Sequence, residues 1–236
     1  MNKKIIYAIF VTLVLSATTL VSFPTSAVPD QKFLISELEP GWNVVSLPFS
    51  NSDPISVSSG LKLEYFNDNT NEIETLTWSE ASQENIVEQQ IFEWVALSEP
   101  HAYAFADSLE NGKGYWIYAY EECTLFMNGL PIGGNKEVVL SGQQDDVDDS
   151  GWNLIGFSTD QSVDLTTRIA VHCGDESLTW AEATDYNRPG GRIIDPHIFA
   201  WDRGEQSYAF VSTLEKDHGA WIFAYQDCTL EILDIF

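Results

Sequence analysis

The sequence predicts a mainly β protein built from two tandem, similar β-rich domains, each with one short helix. Two observations carry this. The line "LENGKGYWIYAYEECTL" (109–125) returns as "LEKDHGAWIFAYQDCTL" (214–230), and all eight tryptophans pair off, four to each half. Gly41-Trp42-Asn43 matches Gly151-Trp152-Asn153, "TLTWSEA" (75–81) matches "SLTWAEA" (177–183), "IFEW" (91–94) matches "IFAW" (198–201), and Trp116 matches Trp221. The spacing between markers drifts, from 36 to 28 residues between the first two tryptophans of each copy and from 16 to 21 between the next two. Markers that hold while intervals vary separate core from loop.

Ahead of the repeats, Lys3 and Lys4 precede an apolar run from Ile5 to Val21 and then "SFPTSAVPD". This is the layout of a secretory signal over residues 1–27, cut after Ala27, with an uncleaved N-terminal anchor as the alternative. Repeat 1 is expected over 28–135, an acidic linker over 136–150, and repeat 2 over 151–236. Within each repeat, "WNVVSLPF" and "WNLIGF" read as short strands, and "IFEWVAL" with "YAFAD" and "HIFAWD" with "SYAFVS" read as hairpins. The spacing of Thr77 to Glu80 and of Thr179 to Glu182 predicts capping boxes. The first helix is expected to reach about Gln89, and the second is cut short before Pro189-Gly190-Gly191. In "GYWIYAYEECTLFM", Trp116, Tyr118 and Tyr120 share one face of a strand at period two. Gly112, Gly114 and Gly219 are expected to allow a tight turn before that strand.

The tryptophans (Trp42, Trp78, Trp94, Trp116, Trp152, Trp180, Trp201, Trp221) are expected to be structural core. A buried aromatic side chain covers 150–250 Å², worth roughly 4–6 kcal/mol at most at about 25 cal/mol per Å². Four of them would anchor a domain of about a hundred residues. The alternative is a set of exposed rings that stack on sugars.

Charge narrows the partners. Residues 28–236 hold 9 Lys and Arg against 36 Asp and Glu, a balance of −27 spread over both halves. Like charges repel nucleic acid and anionic membrane surfaces, so neither is an expected partner, and a membrane enters only through an uncleaved N-terminal segment. The 13% aromatic content argues for a folded chain.

The repeat resembles a tryptophan-rich repeat, often in tandem, of uncharacterised exported and surface-layer-associated proteins of archaea and bacteria. Its marks are a "GWNLIG"-like start, a central W-x-E-A and IFxW, and a closing "GYWIYAYxDCTL", present at 41–47, 78–81, 91–94 and 114–125 and again at 151–157, 180–183, 198–201 and 219–230. The resemblance implies a surface location and a modular, non-catalytic role.

The residues able to do chemistry are not duplicated. His101, His172, His197 and His218 occupy unmatched positions, and no Gly-x-Ser-x-Gly elbow occurs. No catalytic residue, metal site or cofactor is assigned. Asp146, Asp148 and Ser150 have calcium-loop spacing, but Phe157 stands where a bidentate acid is needed, and an acidic linker is the reading preferred over weak calcium binding. Cys123, Cys173 and Cys228 are read as small buried strand residues, with a Cys173–Cys228 bridge as the alternative. "NRPGGRIIDPH" (187–197) is an insertion with Arg188, Arg192 and His197, and is the candidate interaction loop. The expected function is an exported, non-catalytic structural or interaction module, extracellular or at the cell surface, whose partner is a cell-envelope protein or polysaccharide. A carbohydrate-binding module using exposed aromatics is the alternative, and a hydrolase acting outside the cell the second.

Overall fold

The computed structural model describes residues 32–49, 53–96, 102–128, 137–143, 151–159 and 161–233. The N-terminal segment and the calcium-spaced stretch of Asp146, Asp148 and Ser150 lie outside them. The protein is mainly β, 54% strand and 8% helix, in two similar halves.

In the first half the strands are β1 (Lys32–Leu38), β2 (Gly41–Ser46), β3 (Ile55–Ser56), β4 (Leu61–Asn67), β5 (Glu72–Thr77), β6 (Phe92–Val95), β7 (Ala102–Phe105), β8 (Ser108–Leu109), β9 (Gly114–Ala119) and β10 (Cys123–Asn128). Helices α1 (Val57–Gly60) and α2 (Trp78–Gln83) interrupt them. In the second half they are β11 (Glu137–Leu140), β12 (Trp152–Gly156), β13 (Val163–Asp164), β14 (Ile169–Cys173), β15 (Glu176–Thr179), β16 (Ile198–Asp202), β17 (Ser207–Val211), β18 (Thr213–Leu214), β19 (Gly219–Phe223) and β20 (Cys228–Ile232), with α3 (Trp180–Ala183) after β15. Each half has an outer sheet, β1-β10-β4-β5 or β11-β20-β14-β15, and an inner sheet, β2-β9-β6-β7 or β12-β19-β16-β17. A two-stranded ribbon, β3-β8 or β13-β18, completes it. All these pairings are antiparallel.

In each half the two sheets face each other over a core. In the first, Ile35, Leu38, Leu63 and Leu125 of the outer sheet meet Val45, Tyr115 and Ile117 of the inner one, with Trp78 and Ala81 from α2. The second repeats this with Leu140, Val171 and Leu230 against Ile155, Ala220 and Ile222, with Trp180 and Ala183 from α3.

The recurring Gly-Trp-Asn has a physical basis in its asparagine. Asn43 is fully buried; its Nδ2 donates to the carbonyls of Glu39 (2.8 Å) and Gly41 (3.0 Å), and its Oδ1 accepts from Glu39 N (3.0 Å). Asn153 does the same with Ser141 and Gly151 at 2.9–3.0 Å. Each asparagine satisfies backbone groups at the corner where the chain passes from outer to inner sheet.

Three details differ from the sequence reading. The segment expected as linker contains β11, which pairs with β20 from Glu137↔Glu231 to Leu140↔Cys228 and is the counterpart of β1. The first half has two short helices. α2 stops at Gln83, not near Gln89, because Asn85 takes a left-handed φ of 58° and turns buried Ile86 and Val87 into the core. Both capping boxes form, Thr77 with Glu80 and Thr179 with Glu182. All three cysteines are free, so the Cys173–Cys228 bridge is absent.

Candidate functional site

The inner sheets are apolar on both faces. Along β9, Tyr115, Ile117 and Ala119 point into the first-half core, while Trp116 and Tyr118 point outward. The outward face of each inner sheet packs against its counterpart, forming a third cluster between the halves. Val44, Trp116, Leu154 and Trp221 are buried there, with Phe92, Trp94, Trp152, Phe199 and Trp201 partly buried. The eight tryptophans expected as domain core therefore divide. Trp78 and Trp180 lie in the cores, five others pack between the halves, and Trp42, expected as core, is 37% exposed at the edge of that cluster and meets the other half through its backbone. A strand buried on both faces is apolar at every position, so composition alone does not separate the two roles.

The halves meet about a local twofold axis. Trp94 Nε1 donates to the Trp152 carbonyl at 2.7 Å, and its counterpart Trp201 Nε1 donates to the Trp42 carbonyl at 2.7 Å. Ser46 N donates to Asp217 O at 2.9 Å, and Gly156 N to Gly112 O at 3.3 Å. The bridges Val45↔His218 and Lys113↔Ile155 are likewise equivalents. At the crossing the backbones leave no room for side chains. A Cβ on Gly219 would stand 3.1 Å from Gly114 Cα, and one on Gly156 would stand 1.9 Å from the Cβ of Ser46, its counterpart in the other copy. Only Gly112 among the three glycines read as turn formers has a positive φ (82°); Gly114 and Gly219 serve this close approach. One polar latch lacks symmetry. Arg203, nearly buried, donates to the Glu37 carbonyl and lies 3.7 Å from Asp217, which accepts from Ser36 Oγ at 2.9 Å.

Beside a mixed opening of about 370 Å³ around Glu39, Asp202, Arg203 and His218, two openings among the described residues are lined by aromatic rings alone. One, of about 470 Å³, is lined by Trp42, Phe92, Tyr103, Trp116, Trp201 and Tyr208. The other, of about 350 Å³, is lined by Trp152, Phe199, Tyr208, Trp221, Trp94 and Tyr103. Each residue of the first has its repeat counterpart in the second. Tyr103 and Tyr208 belong to both, forming the wall between them, and they are 48% and 49% exposed. The remaining walls meet at steep angles: Trp42 to Trp116 at 90°, Trp116 to Trp201 at 73°, Trp201 to Tyr208 at 79°. In the other opening Trp152 meets Trp221 at 87°, Trp221 meets Trp94 at 79°, and Trp94 meets Tyr103 at 71°. The result is a pair of boxes rather than a stack. Comparison with known proteins matched no family model, no curated protein and no solved structure.

Half of the six indole N–H groups that line the boxes are engaged. Trp94 and Trp201 Nε1 are spent on carbonyls, and Trp221 Nε1 donates to the Tyr208 hydroxyl at 3.2 Å. Trp116 Nε1 is buried beside the Tyr103 hydroxyl without closing a well-aligned bond. Burial, and then the neighbouring Tyr208, raise the Tyr103 pKa; burial raises that of Tyr208 against hydrogen bonds that lower it. Both remain neutral phenols through the physiological range.

The candidate loop 187–197 is held by its own charges. Arg188 pairs with Glu176 and donates to the carbonyls of Pro189 and Gly191, both at 3.3 Å. Arg192 lies 3.4 Å from Asp195 and over the Tyr186 ring at 5.0 Å. His197 Nδ1 lies 2.7 Å from Asp195, and its ring packs on Phe210. Burial raises the Asp195 pKa, but hydrogen bonds from the His197 N–H, its ring and the Tyr225 hydroxyl outweigh this and leave it lowered. Of the three sequence-predicted loop residues, Arg192 and His197 thus meet at Asp195, while Arg188 pairs separately with Glu176. His172 bonds Glu231 and His218 lies against Asp217, at separate places. Among the described residues, no group of three or more His, Cys, Asp or Glu is placed to hold a metal, and no helix is long and apolar enough to cross a membrane.

Proposed function

We propose that the protein is an exported, non-catalytic interaction module of the cell surface or extracellular space, and that it binds through the twin aromatic boxes. The observation that carries this is the pair of openings, lined by equivalent aromatic rings alone, in a seam whose backbone crossing leaves no room for a Cβ. Core packing alone gives no reason to leave them, because buried rings gain by contact. Their walls, among the described residues, are rings with no carboxylate, imidazole or thiol, which favours binding over chemistry. The signal-like start of the sequence supports export. The partner is a component of the cell envelope, protein or polysaccharide. Carbohydrate binding is the second reading, favoured by the half-exposed faces of Tyr103, Tyr208 and Trp42, on which sugar rings could stack.

The test is a pull-down from cell-envelope preparations with wild type and with Tyr103→Ala/Tyr208→Ala, which opens both boxes at their shared wall. Retention that disappears in a variant with an unchanged far-UV spectrum supports the reading. Retention unaltered by the double substitution overturns it.

A further inference from the structure

We propose that each box is a site for a methylated ammonium group, a quaternary cation of the choline or trimethyl-lysine kind, at two equivalents per chain. This rests on the boxes being the binding surface and adds the chemistry of what enters them.

Three features select the ligand. The first is the scarcity of free hydrogen-bonding groups. Of the six indole N–H groups that line the openings, those of Trp94, Trp201 and Trp221 already have acceptors and that of Trp116 is buried, which leaves those of Trp42 and Trp152 and the two phenols. A sugar brings several hydroxyls, and each one buried without a partner costs free energy. A primary ammonium brings three donors and finds no carboxylate in the walls. A quaternary ammonium has no N–H, so it leaves no donor unpaired in a site with few partners, and the ring faces offset the hydration its charge gives up.

The second feature is ring geometry. Walls that meet at 71–90° offer a guest ring faces and edges of several orientations in a wide-mouthed recess instead of one flat platform. Ring faces carry negative potential, and tryptophan, the main wall residue, is the strongest cation–π partner. The volumes, about 350 and 470 Å³, exceed what one trimethylammonium group needs and leave room for the chain that bears it. The third is charge. With a formal net charge of −25, the protein concentrates cations at its surface and repels anions. A neutral apolar guest would gain nothing from that field.

The experiment is calorimetric titration of the full chain with choline, with its neutral isostere 3,3-dimethylbutan-1-ol, and with cellohexaose and chitohexaose. Choline is expected to bind at two sites per chain, to quench tryptophan fluorescence, and to weaken with added salt. The isostere is expected to bind at least about tenfold more weakly, a gap of ~1.4 kcal/mol for the charge on the rings. Tyr103→Ala/Tyr208→Ala is expected to abolish binding, while Phe105→Ala, on the same hairpin but outside the box walls, leaves it intact. Equal binding of choline and the isostere overturns the proposal in favour of a purely apolar pocket. Binding of an oligosaccharide but not choline overturns the ligand class and leaves the interaction module standing. If none of these ligands binds, the proposal falls; the pull-down then decides the module reading separately.

Discussion

Gly156→Ala is the smallest change that should part the two halves without unfolding either. The added Cβ would lie 1.9 Å from Ser46 Cβ, 2.5 Å from Ser46 Oγ and 3.2 Å from the Lys113 carbonyl. Carbon atoms rest at about 3.5–4.0 Å, so close to 2 Å must be recovered. Neither contact is the end of a flexible chain: Ser46 is 1% exposed and sits on β2, and Lys113 contributes backbone. Relief must come from shifting the halves apart, which weakens the crossing bonds and the ring contacts around them. Overpacking costs about 1–3 kcal/mol and sometimes more, and backbone anchoring puts this case at the upper end. About 3 kcal/mol lowers the melting temperature of a chain this size by roughly 6–12 °C. Near-UV circular dichroism should fall sharply, because it reads the perpendicular tryptophan pairs across the seam, while the far-UV signal of the two cores should persist. Ser46→Gly in the same chain removes the clashing carbon and should recover most of the loss. It cannot recover all, since Ser46 Oγ also donates to His218 O at 3.1 Å. A variant that melts like wild type with an unchanged near-UV spectrum, or a loss that Ser46→Gly leaves untouched, refutes this account.

Trp94→Phe should destabilise the chain by about 1–3 kcal/mol in urea melts by leaving the Trp152 carbonyl without its indole donor. Trp201→Phe should cost less, because the Trp42 carbonyl also accepts from Gln206 Nε2 at 3.0 Å; equal costs would contradict this. Burial pushes the Cys123 and Cys228 thiols up to about 12 and raises Cys173 too, so all three are thiols at pH 8. Partly exposed Cys173 should alkylate first, with the other two protected until denaturant is added; equal rates by mass spectrometry would refute it. The capping hydrogen bonds, from the Thr77 backbone and then its side chain, lower the Glu80 pKa, and those of Thr179 lower Glu182. A carboxylate lowered in the fold contributes stability above its unfolded pKa and loses it as pH falls through the folded value. Removing the hydroxyls of the two capping boxes with Thr77→Ala and Thr179→Ala, which leaves the backbone N–H bonds in place, should therefore flatten part of the acid limb of stability between about pH 5 and pH 2, and parallel curves would argue against it.

What the sequence made legible follows from how local each signal is. The capping boxes and hairpins are set by residues within a few positions of one another, and they form at Thr77–Glu80, Thr179–Glu182, Phe92–Phe105 and Ile198–Val211. The duplication gave the two halves, because equivalent strands need equivalent residues. The division of the tryptophans was not legible. Trp78 opens α2 and Trp116 lies on β9, but what covers the Trp116 ring is decided by the other half of the chain. A trace of it existed: "GYWIYA" is apolar at every position, the mark of a strand covered on both faces. The glycines misled for the same reason. Gly114 and Gly219 look like turn residues from their neighbours, and only the seam shows that they keep two backbones in contact. The charged loop 187–197 drew attention as a basic island, but Glu176 and Asp195, far and near in sequence, absorb its cations.

The unlike pair at the crossing has a consequence for which copies can sit together. Ser46 and Gly156 hold the same place in the two repeats, and the seam has room for one β-carbon there, not two. A surface that mates with its own rotated copy is the kind that makes homodimers. Two first halves meeting in this way would set serine against serine and collide. Two second halves would set glycine against glycine and fit. Joining one of each in a single chain supplies the compatible pair at high effective concentration, and the serine denies the first half any partner of its own kind.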